Sequence, residues 1–178
     1  MSAETLSTYD NSVCQMLIVK IHQLNTVVAV VYRPPDTRLS EFSGLLSFLD
    51  ETLNNLPSPT PNILITGDFN LPSSVVRWEW CDVEGLLVPH VAGHRELEID
   101  GGKQDRLQAQ RLVDQAIRHG LTQLVVSATH GEEILVLIWS NNPDLVNNIG
   151  VSDWSSFSDH KLVTAHVSYK TERNKIRE

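Results

Sequence analysis

An aspartate and an asparagine two positions apart, Asp68 and Asn70, follow an apolar run and a glycine in Gly67-Asp68-Phe69-Asn70. Glycine lets the backbone turn tightly, so the carboxylate and the amide can project into one cleft while Phe69 turns inward as an anchor. Ser158-Asp159-His160 stands directly before another apolar run and sets an acid beside an imidazole. Such a pair can supply a metal-binding carboxylate and a hydrogen-bond donor for a phosphate near neutral pH. Val31-Tyr32-Arg33-Pro34-Pro35 ends a β-branched run and offers a phenolic hydroxyl and a guanidinium to phosphate oxygens. Taken singly, each segment is also an ordinary polar turn or a strand closed by prolines.

The elements that must position these residues are legible from periodicity. Residues 15–22 and 26–32 are β-branched runs separated by Gln23-Leu24-Asn25, which predicts a hairpin. Leu39, Phe42, Leu45, Leu46, Leu49 and Leu53 recur at spacings of three and four and line one helix face, stopped by Asn54-Asn55 and Pro57. Residues 62–66 predict a buried strand. From Pro72 to Gly102 the pattern is irregular and polar, and a long surface loop holding at most one short element is expected. Leu107, Leu112, Val113, Ala116 and Ile117 mark a second amphipathic helix, with Gly120 at its C′ position. Residues 121–126, 134–139 and 162–169 predict three further strands. Strands apolar on both faces, alternating with amphipathic helices, indicate an α/β (α+β) layered architecture with a partly antiparallel sheet.

Composition sets outer bounds. The chain has 178 residues, 41% hydrophobic and 20% charged, which suits one globular domain. Its longest apolar runs, such as residues 27–32, are too short to span a bilayer, and residues 1–12 do not resemble a signal peptide. Two cysteines, Cys14 and Cys81, do not make a disulfide framework, which points to a reducing compartment, nucleus or cytoplasm, and away from secretion. The net charge of -8 runs against tight nucleic-acid binding through phosphate contacts, and the basic stretch at residues 170–177 reads as a solvated tail.

The three motifs in their order resemble the endonuclease/exonuclease/phosphatase superfamily, and most closely the endonuclease domains of non-LTR retrotransposons. Tyr32-Arg33-Pro34-Pro35, the helix that follows it, Gly67-Asp68-Phe69-Asn70 and Ser158-Asp159-His160 carry the likeness. Leu121-Thr122-Gln123-Leu124-Val125 and Trp139-Ser140-Asn141-Asn142-Pro143-Asp144-Leu145-Val146 are similar as well, so it spans about residues 15–169. The resemblance implies a partial four-layer α/β/β/α sandwich with a mixed, mainly antiparallel sheet flanked by helices. It also implies hydrolysis of DNA phosphodiesters with Mg²⁺, or Mn²⁺ in its place. On that carry-over Asp68 is the base that activates or positions water, and Asn70 orients metal or phosphate. Asp159 is a metal-side carboxylate, His160 hydrogen-bonds the scissile phosphate, and Tyr32 and Arg33 touch it. The implied metal set is Asp68, Asn70 and Asp159.

The chain departs from that pattern twice. The family's opening stretch supplies an Asn and a metal-binding Glu, and Glu4, in an expected polar leader over residues 1–14, does not replace them. Where the family has an aspartate that orients the histidine, this chain has Val136, which accepts no hydrogen bond. The expectation is therefore a truncated domain over residues 15–169, with a charged tail at 170–178 and weak or absent nuclease activity; the alternative is a non-catalytic interaction module on the same fold. The strand at 162–169 should add to the sheet or leave an apolar face open for a protein partner or a second copy. His90, His94, Glu96, Glu98 and Asp100 are expected as a solvated loop rather than a metal site. Trp78 and Trp80, with Arg77 as the only neighbouring base, are expected to pack on the sheet edge rather than stack a nucleobase.

Overall fold

The alternation Met16, Ile18 on one strand and Val27, Ala29, Val31 on the next sends these side chains to one face, where all are buried. The strands are β2 (Gln15–Ile21) and β3 (Thr26–Tyr32), joined by a short turn over His22–Leu24 with Asn25 in the left-handed region, as the hairpin reading expects. The computed structural model describes residues 2–57, 59, 61–71, 76–81, 86–91, 102–153 and 158–168. The expected tail at 170–178 and the residues His94, Glu96, Glu98 and Asp100 lie outside the described residues.

Residues expected as a polar leader form a strand instead. β1 (Ala3–Asp10) pairs antiparallel with β2. Its polar outward edge hides the β pattern, but Tyr9 packs on Phe48, ring centroids 5.4 Å apart, and the backbone completes the ladder of β2. β4 (Asn62–Asp68) runs parallel to β3, which requires a crossover, and the crossover is α1 (Leu39–Asn54). Antiparallel β8 (Val136–Ser140) and the two-residue β7 (Thr122–Gln123) complete a six-stranded sheet in the order β1-β2-β3-β4-β8-β7. The apolar stripe of α1 and the Ala109, Leu112, Val113, Ala116 stripe of α2 (Gly102–Arg118) cover one face, where each large aliphatic side chain contributes about 1.5–3 kcal/mol on burial. α2 ends as expected, with Gly120 at φ 61 and the amide of Leu121 bonded to the carbonyl of Ala116 at 2.8 Å.

The strand expected at 121–126 is cut short because the Gln123 side chain takes the backbone N–H and carbonyl of Val125, which bends the chain out of the ladder. The long loop expected after Pro72 contains a hairpin, β5 (Val76–Cys81) paired with β6 (Leu86–Val91), lying against β7 and α2. Pro89 sits within β6, tolerable because each strand of a two-stranded sheet keeps one free edge. Trp78 and Trp80 lie on β5, and His90 on β6 is paired with Arg77.

The last strand, β10 (Leu162–Val167), does not join the large sheet. It pairs with β9 (Val146–Ser152), a strand that its Asn147, Asn148 and Gly150 conceal in the sequence. This ribbon packs on the second face of the sheet, over Leu64 and Ile138. The layers are thus helices, six-stranded sheet and two-stranded ribbon. On the same second face, over β2 and β3, Leu17 and Val30 stay exposed at 43% and 46%. Among the described residues no helix is long and apolar enough to cross a membrane.

Candidate functional site

Asp68 closes β4 at the end of the sheet where β3 also ends. The register sets Tyr32 on one side of it and Val136 on the other, so all three point to the second face. Gly67 is indispensable to this placement. Its φ is 145°, and a Cβ there would stand 1.9 Å from the Val31 carbonyl oxygen. Beyond Asp68 the chain turns inward, burying Phe69 completely, and Asn70 takes a left-handed conformation at φ 47. The Asn70 amide N–H donates to an Asp68 carboxylate oxygen at 3.1 Å, and its side-chain amide donates to the Arg33 carbonyl at 2.8 Å.

Arg33 is not placed for a substrate phosphate. Its side chain is fully buried, and Nε donates to Gln108 at 2.7 Å. Nη1 donates to the carbonyls of Phe69 and Asn70 at 3.2 and 2.8 Å, and the guanidinium lies 5.4 Å from the centroid of the Phe42 ring. A cation so enclosed organises the Asp68–Asn70 loop instead of meeting solvent-borne anions. Tyr32, by contrast, is 47% exposed.

The segment 158–160 arrives over Asp68 from the ribbon. His160 Nε2 stands 3.7 Å from Asp68 Oδ2, an ion-pair distance, with both side chains part-buried. Burial is the largest influence on the Asp68 carboxyl and pushes its pKa above the ordinary value; the nearby His160, the Asn70 hydrogen bonds and Arg33 pull the other way. A carboxyl tuned upward beside an imidazole is what general acid–base chemistry uses. Asp159 does not join Asp68. Its carboxylate is exposed and meets His130 Nε2 at 3.2 Å. A hydrogen bond from its own backbone N–H, then the one from His130, lowers its pKa.

His130 is the residue the sequence reading missed. Its ring centroid lies 5.0 Å from that of His160, tilted by 41°. It sits in a tight turn in which the His130 and Glu133 backbones bond each other, N–H to carbonyl, at 3.1 and 2.8 Å. The only signal in the sequence is a histidine before a glycine, ahead of an apolar strand. Thr129, also unremarked, ties the loops together. Its buried hydroxyl accepts the N–H groups of Leu135 and Val136 at 2.9 and 3.0 Å, and its carbonyl accepts that of Lys161 at 2.8 Å. The Leu135 carbonyl accepts the N–H of Phe69 at 3.0 Å. Three chain segments thereby meet through backbone groups.

The structure therefore assembles Asp68, His160, His130 and Asp159 in sequence, with Tyr32 at the flank and Asn70 bracing Asp68. It does not gather Asp68, Asn70 and Asp159 into a metal centre. Among the described residues no three His, Cys, Asp or Glu side chains converge on a common point.

The fold is similar to that of a solved nuclease domain, described as "Endonuclease domain of TRAS1, a telomere-specific non-LTR retrotransposon". The superposition has a TM-score of 0.55 at 12% sequence identity and covers 95% of this chain and 70% of that one. No family model and no curated protein matches the chain. The likeness is one of fold: a mixed α/β architecture with a mostly antiparallel sheet.

Proposed function

We propose that this chain is a retrotransposon-type nuclease domain whose chemistry is directed at DNA phosphodiesters through Asp68 and His160, with weak turnover. The observation that carries this reading is the approach of His160 Nε2 to Asp68 Oδ2, 3.7 Å, at the mouth of a nuclease-like fold. In this reading the Asp68 carboxylate accepts the proton of an attacking water, and the His160 imidazole donates to a phosphate oxygen as charge builds there. Tyr32 adds a hydroxyl from the neighbouring strand. Of the implied metal donors Asp68 and Asn70 lie together while Asp159 turns to His130, and weak turnover is expected from that divided set and from Val136 in place of a hydrogen-bond acceptor. The test is supercoiled plasmid incubated with the protein in Mg²⁺, in Mn²⁺ and in chelator, beside Asp68→Ala and His160→Ala. Nicking by the natural sequence, lost in both variants, supports the reading. Equal nicking by all three proteins ends it.

A second reading, an interaction module on the same fold, is favoured by one observation: Leu17 and Val30 stand side by side on the uncovered part of the second sheet face. Sedimentation at increasing concentration tests it, because Leu17→Lys should dissociate any self-association that runs through this face.

A further inference from the structure

We propose that His130 is a positioning residue for His160: clamped by Asp159, it forms a fixed imidazole wall that holds the His160 ring toward Asp68. This deepens the nuclease reading and rests on it for its functional meaning, though not for its geometry. The need for such a wall arises at Val136. It is paired with Asp68 and faces the same side, yet a valine cannot accept a hydrogen bond, so nothing at this strand position can orient an imidazole. The 3.7 Å from His160 to Asp68 exceeds a hydrogen bond, and charge attraction at that range does not fix a ring plane.

The contact that does have a definite geometry is the one to His130. The centroid separation of 5.0 Å lies within the contact range of aromatic pairs, with the rings tilted by 41°. An exposed Asp–His contact is worth little energy by itself. Here little is needed, because the ordering has been met elsewhere. Both backbone groups of His130 bond Glu133, and the neighbouring Thr129 carbonyl holds Lys161, one residue after His160. The two histidine loops thus share a backbone tie, and Asp159, adjacent to His160 in the chain, closes the ring of contacts by holding His130 Nε2. The arrangement substitutes a ring contact for the hydrogen bond that fixes a histidine in other hydrolytic sites.

The test reads His160 directly by side-chain NMR in the free protein, where no substrate is needed. The natural sequence should show a nuclear Overhauser contact between the two rings and a ring-current displacement of the His160 Hε1 signal. His130→Ala should abolish the displacement, and His130→Phe, which keeps an aromatic wall, should restore it. In the plasmid assay His130→Ala should lower kcat by on the order of 100-fold with KM unchanged, the cost of a misplaced group, and His130→Phe should recover part of the loss. If His130→Ala fails to fold, His130→Gln carries the test, and it too should abolish the displacement. A His160 signal unmoved in a folded His130→Ala protein, or unmoved in His130→Gln where the alanine variant does not fold, overturns the proposal. A natural protein that shows the coupled rings yet never nicks DNA removes the nuclease reading alone.

Discussion

Arg33 and Asn70 hold each other reciprocally. The guanidinium of Arg33 donates to the Asn70 carbonyl at 2.8 Å, and the Asn70 side-chain amide donates to the Arg33 carbonyl at 2.8 Å. Two segments widely separated in the chain are locked by this exchange, and Asp68 lies between them with its backbone carbonyl bonded to the Arg33 N–H at 2.8 Å. The charge that the sequence offers to a ligand is used internally, to fix the loop that carries the carboxylate.

Replacing Arg33 with alanine would orphan Gln108 Oε1 and two loop carbonyls inside the core. A loss of roughly 3 kcal/mol or more is expected. Urea denaturation should show a lower midpoint for Arg33→Ala, and Arg33→Lys should recover little, because one ammonium cannot reach the same spread of acceptors. An unfolding free energy within about 0.5 kcal/mol of the natural sequence, the range of ordinary surface changes, would contradict the enclosed geometry.

The sequence disclosed the helices, the central hairpin and the two segments that meet at Asp68 and His160, because each is written in local periodicity or in a turn requirement. It concealed what depends on partners. β1 is polar along its free edge, so only pairing with β2 reveals it as a strand. β9 reads as an Asn-rich connection until β10 lies beside it. Arg33 looked like a phosphate ligand because burial is not a local property. His130 carried no motif, and its place beside His160 follows from Thr129, whose hydrogen bonds no sequence pattern announces.

Gly67→Ala should be among the most damaging single-methyl additions to this chain. The new Cβ would collide with the Val31 carbonyl, and φ 145 is unfavourable for any L side chain. A destabilisation of roughly 2–4 kcal/mol is expected. Thermal unfolding of Gly67→Ala beside Gly44→Ala separates the terms, since at Gly44 the added atom meets the hydroxyl tip of Tyr9, which can swing aside.

Asp68→Asn should stabilise the fold while abolishing activity. The native carboxyl has a raised pKa, so the folded state holds its proton more firmly than the unfolded chain does. Between the unfolded value and the raised native one, the native state binds more protons, and stability falls as pH rises. Asparagine carries no such penalty. The melting advantage of Asp68→Asn should grow through that interval and stay level above it, and an advantage confined to acid pH would reverse the assigned sign. The acid limb of any nicking profile should lie above the ordinary carboxylate range for the same reason.

Thr129→Val keeps the shape of the side chain but removes the oxygen that accepts from Leu135 and Val136. The buried N–H of Leu135 and the part-buried N–H of Val136 lose their partner, at a cost of about 1–3 kcal/mol for the buried one if no water replaces it. Amide hydrogen exchange should show faster opening at Leu135, Val136 and Lys161 together, with the helical core unchanged. Acceleration at Leu135 alone would mean that Thr129 does not join the loops.

The order of the strands has a consequence for synthesis. The helices, β3, β4 and β8 are all complete before β9 and β10 leave the ribosome, so a nascent chain can bury the helix-covered face of the sheet early. Asp68 then faces water with no imidazole above it. His160 arrives only with the ribbon that closes over Leu64 and Ile138. A chain interrupted between β8 and β10 would fold its larger half with Asp68 still lacking His160, so the meeting of these two side chains is a late event of translation.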